Sequence, residues 1–256
     1  MEEILQFEII HIVILCALVF LGGFIDSIAG GGGLITLPAY LLIGVPIHTA
    51  LASNKFSSTF GTAVSTFNFL RSGKVYLKAV PVSVICALAG SSFGAYIALL
   101  TSDEVLRYVL LVLIPVIAVV VLAKKNLGQE NRMHTLKPGT ILLGAGIAAL
   151  TIGFYDGFFG PGTGTFLILI FTIFLRFDLV MANGNAKIIN LSSNLGSMIT
   201  FLISGHVLFS LAIPAAVFGI LGNIAGSHLA IKIGARIIKP VLVVVLALLL
   251  ATLIFR

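Results

Sequence analysis

Residues 23–33 read GFIDSIAGGGG and residues 153–164 read GFYDGFFGPGTG, so an aspartate followed by a glycine cluster occurs twice, 130 positions apart. Each cluster leads into an apolar stretch, 33–44 or 164–175, that is shorter than the about 20 residues a spanning helix needs. Backbone broken at membrane depth is tolerated where it is buried in protein or lines a cavity. Two short, glycine-interrupted segments at matching places therefore predict the binding site of a transporter.

The composition indicates a membrane protein. Of the 256 residues, 59% are hydrophobic and 9% are charged, and the mean hydropathy is +1.19, whereas soluble domains carry roughly 25% charged residues. The net charge of +6 comes from residues scattered over short loops, without the basic stripe that is typical of nucleic-acid binding. We therefore predict an all-α integral membrane protein that contacts the lipid bilayer and no nucleic acid.

The repeat extends beyond the opening motif. At an offset of 132, Lys55 matches Lys187, and glycines match in the pairs Gly73–Gly205, Gly90–Gly222 and Gly94–Gly226. The long polar stretch 124–137 lies between the halves. We predict a first transmembrane repeat over 1–125, a cytoplasmic connector over 126–137 and a second transmembrane repeat over 138–256.

Each repeat is predicted to contain about five helical segments, of which the second is a short broken helix. The predicted segments are 8–29, 33–44, 48–70, 76–100 and 105–123, then 138–159, 164–175, 183–203, 207–230 and 238–255. An odd number of crossings per half makes the two halves inverted repeats.

Basic residues predict the orientation. With the connector in the cytoplasm and the N-terminus outside, most loop Lys and Arg residues fall inside, as the positive-inside rule requires. An alternative with four spans per half and re-entrant short segments makes the halves parallel. It moves Lys232, Arg236 and Lys239 outside, so we favour the inverted arrangement. Whether each short segment crosses or dips and returns is left open.

Four charged residues lie within apolar segments rather than at their ends: Asp26, Lys55, Asp156 and Lys187. A charge at the bilayer centre costs at least about 2.5–3.5 kcal/mol, so such groups need a partner or a wet cavity. One interpretation is that carboxylate–lysine pairs only tie helices together. The other is that the four line a central site, where the lysines bind an anion and the aspartates carry coupling protons.

Polar side chains share a helical face with each lysine. Ser58 and Thr62 lie at i+3 and i+7 from Lys55, and Asn190 and Asn194 occupy the same positions relative to Lys187. Asn54 and Asn185 lie nearby in sequence. Amide and hydroxyl donors beside a lysine suit an oxyanion, although interhelical hydrogen bonding is the plainer role for any one of them.

The glycine clusters contribute candidate backbone donors. A helix N-terminus with unpaired N–H groups attracts anions, and we expect the short helices to begin near Gly31, Gly32, Gly162 and Thr163. The histidines are not spaced as metal ligands, and no metal or cofactor is predicted. Cys16 and Cys86 lie in apolar stretches and are expected to be buried and unpaired.

Residues 23–33 through Pro38, and 48–55 reading HTALASNK, resemble the TauE/SafE sulfite exporter family, and 153–164 with 187–194 look like its second repeat. The resemblance covers nearly the whole chain. It implies a multi-pass permease of the inner (plasma) membrane that moves sulfur-containing or other small organic anions such as sulfite or sulfonates. Ala186 stands where the first half has Asn54, so the two half-sites are not equivalent.

We therefore predict a secondary transporter, with export as the favoured direction, a small anionic substrate and proton coupling through Asp26 or Asp156. A homodimer is one candidate assembly. An anion channel is the alternative function. A membrane-embedded redox or transfer enzyme is a further alternative, but it would need a reactive cysteine or catalytic cluster at the site. We predict that the protein is not an enzyme.

Overall fold

The computed structural model describes residues 9–102, 104–105 and 131–254. The predicted segment 105–123 and the start of the connector lie outside these ranges, and the predicted domain boundaries stay a prediction. Nine α-helices and no strand occupy the described ranges: α1 Ile9–Ala29, α2 Gly33–Leu42, α3 Ile47–Arg71, α4 Val80–Leu100, α5 Pro138–Phe158, α6 Thr163–Ile173, α7 Leu179–Ile203, α8 Phe209–Ile233 and α9 Ala235–Ile254. The predicted all-α class is confirmed.

The described helices follow the predicted segments, with small shifts at their ends. The largest shifts are of four residues: α4 begins after the predicted 76, behind a short 3₁₀ turn at Leu77–Ala79, and α7 begins before the predicted 183. At α7 the cause is Asp178, whose side chain accepts hydrogen bonds from the backbone N–H groups of Val180 and Met181 at 2.9 and 3.0 Å. An aspartate at this position satisfies N–H groups that a helix start otherwise leaves unpaired.

Four of the described helical segments are long and apolar enough to cross a membrane: Ile9–Ala29, Leu77–Leu100, Pro138–Phe158 and Phe209–Ile233. Large apolar side chains on them face outward, including Ile85, Phe93, Leu143, Ile147, Ile213 and Val217. Exposed apolar faces of this kind on mid-helix positions match a lipid environment. By contrast, α3 and α7 carry many buried polar residues and lie in the interior.

Both short helices turn back along the long helix that precedes them. In the first half, Thr36 of α2 packs against Gly22 of α1, and Gly32 lies beside Asp26. In the second half, the ring of Phe166 lies 5.6 Å from that of Tyr155, and Leu175 beyond α6 packs on Gly144 of α5. Each long helix and its short partner therefore form a hairpin whose tip is the glycine cluster.

The two halves pack together through pairs of long helices, one helix from each half. α1 packs on α8, and α4 packs on α5. A Cβ added to Gly222 or Gly226 would meet the α1 backbone near Phe20 and Phe24, and one added to Gly90 or Gly94 would meet the α5 backbone in the same way. The glycines that match between the halves thus make matching close helix contacts, as small residues four apart do in membrane proteins.

The polar helices α3 and α7 cross at the centre in opposite directions. Thr66 Oγ1 donates to the carbonyl of Lys187 at 3.0 Å, and further along, Asn194 Nδ2 donates to Thr62 Oγ1 at 3.4 Å. Residue numbers rise along α3 while they fall along α7, so the two helices run antiparallel. This crossing brings both polar faces, and both lysines, to the middle of the molecule.

Candidate functional site: a polar cavity between the halves

A small, partly open cavity lies where the two hairpin tips meet α3 and α7. Both halves line it. Three of the four intramembrane charges, Asp26, Lys55 and Asp156, contribute to the wall. Its hydroxyl and amide groups come mainly from the two crossing helices: Asn54, Ser57, Ser58, Thr62, Asn190 and Asn194.

Two ion pairs connect the halves across this cavity. Lys55 Nζ lies 2.7 Å from Asp156 Oδ1, and Lys187 Nζ lies 2.6 Å from Asp26 Oδ2. Each lysine therefore pairs with the aspartate of the other half. Three of these charges also line the cavity. The same residues therefore both connect the helices and line the candidate site. Removing one partner alone from a buried ion pair destabilises the folded protein by about 3–5 kcal/mol.

The Lys55 pair is hydrogen-bonded on both sides. Asp156 Oδ1 accepts from Thr163 Oγ1 at 2.8 Å, and its Oδ2 accepts from Ser193 Oγ at 2.5 Å. Lys55 Nζ also donates to Asn194 Oδ1 at 3.2 Å. Lys55 and Asp156 are each 3% exposed. Every oxygen of this carboxylate is thus occupied, while the lysine still borders open space.

The Lys187 pair is built differently. Lys187 is fully buried, and its Nζ donates to the backbone carbonyl of Asp26 at 2.5 Å as well as to the carboxylate. The positive charge of Lys187 therefore lies beside a carbonyl in the last turn of α1, where the helix dipole favours a cation. Asp26 is 15% exposed and turns Oδ1 toward Gly32, whose N–H is 3.4 Å away. The two pairs match in sequence but not in environment.

The two hairpin tips pack directly on each other. Gly30 has a φ of +77°, and a Cβ added there would overlap the backbone of Gly164. Thr165 ties the same junction, because its N–H donates to the carbonyl of Gly30 at 3.2 Å and its hydroxyl donates to the carbonyl of Ala29 at 2.8 Å. The glycines are therefore required by close backbone approach as well as by the turn.

The first turns of the two short helices both reach the cavity. Gly32 and Gly33 at the start of α2, and Thr163 and Gly164 at the start of α6, line its wall. First-turn residues of the short helices in both halves therefore line one volume. An anion placed there would meet the positive ends of two helix dipoles.

The predicted site residues separate into two groups. Nine line the cavity: Asp26, Gly32, Asn54, Lys55, Ser58, Asp156, Thr163, Asn190 and Asn194. Four others lie outside the described lining: Gly31, Gly162, Asn185 and Lys187. Gly31 faces Val245 of α9, Gly162 supplies the turn before α6 with a φ of +83°, and Asn185 Nδ2 donates to the carbonyl of Met181 at 2.8 Å.

Sequence reasoning did not select several lining residues, chiefly Thr36 and Asn223. Asn223 carried the clearest signal, since it is an amide in an otherwise apolar helix and directly follows one of the repeated glycines. Its counterpart at the offset of 132 is Ser91, so the repeat comparison alone could have marked this place as one where the halves differ.

The described residues contain no group of three or more His, Cys, Asp or Glu that could hold a metal ion. Both cysteines are free as expected, and Cys16 is buried, whereas Cys86 is partly exposed, contrary to the prediction. Neither cysteine belongs to the described cavity lining.

Comparison with known proteins agrees with this architecture. The model of the family described as sulfite exporter TauE/SafE matches residues 15–253. The chain belongs to the TauE/SafE sulfite exporter family. The match spans both hairpins and all described helices except the first turns of α1 and the last residue of α9, so the resemblance seen in the sequence is confirmed.

Relatives of this TauE/SafE chain bear the names of membrane transporters. It is 38% identical over 226 residues to the probable membrane transporter protein ORF9 of Sinorhizobium sp, covering 88% of this chain and 85% of that protein. It is 36% identical over 235 residues to the probable membrane transporter protein YfcA of Escherichia coli (strain K12), covering 92% and 86%. A Haemophilus influenzae probable membrane transporter protein is 34% identical over 236 residues, covering 92% and 91%. No solved structure matches.

Membership in the TauE/SafE family makes the protein a membrane transporter and not an enzyme, as predicted. The family description names sulfite export, and the relatives' names give no substrate. The cavity between the halves is the candidate site of that transport.

Proposed function

We propose that this protein is a secondary transporter that exports small sulfur-containing or organic anions, such as sulfite or sulfonates. The observation that carries the proposal is the cavity between the two halves, into which Lys55 presents its charge among hydroxyl and amide groups. We further propose that it is a multi-pass protein of the plasma membrane, which is the inner membrane in a cell with two.

Lys55 is the centre of the proposed anion site. An ammonium group has three N–H donors. Among the described residues, Lys55 Nζ contacts two oxygens, Asp156 Oδ1 and Asn194 Oδ1, so one donor remains for a ligand. Ser58 and Asn54 lie on the same stretch of α3 and also line the cavity. Charge-assisted hydrogen bonds of this kind suit the several oxygens of a sulfite or sulfonate group.

Lys187 has a structural role in this proposal. Its ammonium is fully buried, binds the carbonyl and the carboxylate of Asp26, and lies outside the described lining of the cavity. It therefore holds the α1 hairpin tip against α7 and does not meet the anion. This assignment differs from the symmetric hypothesis suggested by the repeat, in which both lysines bind the substrate.

The site carries no net charge before an anion enters, because two lysines face two aspartates. A bound anion adds a negative charge in a region of low dielectric, where an unbalanced charge is unfavourable. A cation that enters with it would restore the balance. Proton coupling through Asp26 or Asp156 stays a prediction.

The inverted arrangement of the halves is part of the proposal. Its support is that α3 and α7, which match in sequence position, run antiparallel at the centre. α1 runs parallel to α8, and α4 runs parallel to α5, as expected if each half enters the membrane from the opposite side. Two hairpins that meet from opposite faces suit alternating access around one fixed site.

A binding and flux experiment tests the function. Purified protein in detergent is titrated with sulfite, sulfonates, sulfate and carboxylates while its thermal unfolding is followed, since a ligand bound to the folded state stabilises it. We expect one class of sulfur oxyanion to stabilise the wild type and the Lys78→Gln control, which removes an exposed lysine, but not Lys55→Gln. Stabilisation that persists in Lys55→Gln contradicts the proposed site.

Flux into liposomes separates a transporter from a channel. A transporter gives saturable anion flux that the Lys55→Gln variant lacks, and it shows exchange of labelled anion across the membrane. Flux that rises linearly with anion concentration and follows the membrane potential alone would favour the channel instead.

A further inference from the structure

Two buried oxygen atoms in the cavity wall lack hydrogen-bond partners within the described part of the chain. They are Thr36 Oγ1 and Asn223 Oδ1, and both residues are 4% exposed. Buried polar atoms without a partner are rare and costly, so each one calls for an explanation. Because both residues line the cavity, a ligand in the cavity can supply the missing interaction.

Both residues pack against the same turn of α1, Thr36 through its Cγ2 methyl group and Asn223 through its Nδ2. Thr36 packs on Gly22, and the amide of Asn223 packs on Gly23, while Asp26 follows one turn later on the same helix. Asn223 is also flanked by Gly61 of α3. Larger residues at these glycine positions would displace the two polar side chains, so the glycines create the space that Thr36 and Asn223 occupy.

The amide of Asn223 has a defined orientation. Its Nδ2 donates to the carbonyl of Gly219 at 2.9 Å. A carbonyl oxygen can only accept, so the flipped amide would place two acceptors together. The oxygen therefore faces away from Gly219 and presents an acceptor.

Asp26 supplies a third oxygen. Lys187 binds Oδ2 at 2.6 Å, whereas Oδ1 has only the long 3.4 Å contact with the N–H of Gly32. This differs from Asp156, whose two oxygens each accept a short bond from a hydroxyl. The carboxylate of Asp26 therefore keeps one weakly bonded oxygen, and Asp26 lines the same cavity as Thr36 and Asn223.

We propose that Asp26, Thr36 and Asn223 bind a sodium ion through their side-chain oxygens. Carboxylate, carbonyl and hydroxyl oxygens are the ligands of hard cations. A divalent ion fits less well, because one carboxylate already shared with Lys187 provides little negative charge. A proton fits less well too, since it can satisfy one acceptor at most and an amide oxygen does not take it.

The second half does not repeat the set. Phe166 stands at the position of the second half that matches Thr36. Ser91 of the first half stands at the position that matches Asn223. The structure thus assigns the cation to the Asp26 side of the cavity and the anion to the Lys55 side. Sodium binding as such does not depend on the proposed anion transport, whereas its use as a coupling ion does.

Thermal unfolding without any anion substrate tests sodium binding by itself. Purified protein is compared in sodium, potassium and choline chloride at equal ionic strength. We expect a saturable stabilisation specific to sodium, because binding to the folded state favours it by a factor of about 100 at 100 times Kd. Equal stabilisation by all three salts overturns the proposal.

Side-chain variants locate the ion. Thr36→Val and Asn223→Ser should raise the sodium concentration for half-maximal effect at least tenfold. Thr172→Val is the matched control, since its hydroxyl is likewise buried without a partner among the described residues but lies outside the cavity lining, and it should keep the wild-type response. An unchanged response in Asn223→Ser overturns the assignment.

Asn223→Asp keeps the test decisive if the other variants fail to fold. It preserves the size of the side chain and adds a negative charge, so sodium should act at a lower concentration than in the wild type. A higher concentration, or stabilisation by acid that replaces any sodium effect, overturns the proposal and assigns the place to a proton. Because no sulfur oxyanion or organic anion is added and the chloride concentration is the same in every sample, these outcomes leave the Lys55 site to be judged separately.

Discussion

Replacing Lys55 by glutamine removes the charge that faces the cavity and leaves the carboxylate of Asp156 without its ion-pair partner. The hydroxyls of Thr163 and Ser193 would remain on that carboxylate. Removing one partner of a buried pair costs about 3–5 kcal/mol, and we expect the lower end because these two donors persist. The variant should therefore fold less stably and also lose anion binding.

The effect on binding follows from simple electrostatics. If the anion lies ~4 Å from Nζ and ~6 Å from the carboxylate, an effective dielectric constant of ~20 gives about 4 kcal/mol of attraction and about 3 kcal/mol of repulsion. Lys55→Gln loses the attraction alone, which corresponds to about a thousandfold weaker binding. The double variant Lys55→Gln/Asp156→Asn loses both, so its binding should be only about tenfold weaker than wild type.

Thermal unfolding over a range of anion concentrations measures both quantities. The melting temperature without anion reports stability, and the anion concentration for half-maximal stabilisation reports affinity. We expect the double variant to recover much of the stability and roughly a hundredfold of the affinity relative to the single variant. If the single and double variants require the same anion concentration, Asp156 does not oppose the anion and the reasoning is wrong.

Three further predictions concern the scaffold. Gly164→Ala should lower the free energy of unfolding by about 1–3 kcal/mol or prevent folding, because the new Cβ overlaps the backbone of Gly30. Gly139→Ala is the control, since its Cβ meets no atom within 4 Å. The yield of folded protein in size-exclusion chromatography compares the two variants. Asn183→Ala should lose about 1–3 kcal/mol, measured by thermal unfolding, because it leaves two carbonyls at the end of α1 unpaired. In a cysteine-free background, His134→Cys should react with membrane-impermeant maleimide only from the cytoplasmic side; labelling from outside intact cells would refute the orientation.

Much of the architecture was accessible from the sequence because the signals were local. A spanning helix must be apolar over its length, and a glycine cluster interrupts it, so α1 and α2 were predicted within a few residues. Charges within apolar segments are rare in membranes because they are costly. Asp26, Lys55, Asp156 and Lys187 were therefore recognisable from the order of residues alone.

The boundaries that shifted depend on local chemistry that hydropathy does not report. α7 begins at Leu179 rather than 183 because Asp178 caps it. Hydropathy averages over a window, whereas a cap acts through a single side chain and two N–H groups. The sequence contained this signal, since an aspartate just before an apolar helical stretch is a common helix start.

The pairing of the charges and the inequality of the two half-sites arise from contacts between distant parts of the chain. The repeat makes Lys55 and Lys187 equivalent in sequence, yet Lys55 borders the cavity while Lys187 is enclosed behind Asp26. Composition and repeated motifs follow from the demands of lipid on each segment. Which oxygen each ammonium reaches, and which stay unpartnered as in Asn223, follows from how α1, α3, α7 and α8 cross, and spacing along one chain contains no information about that crossing.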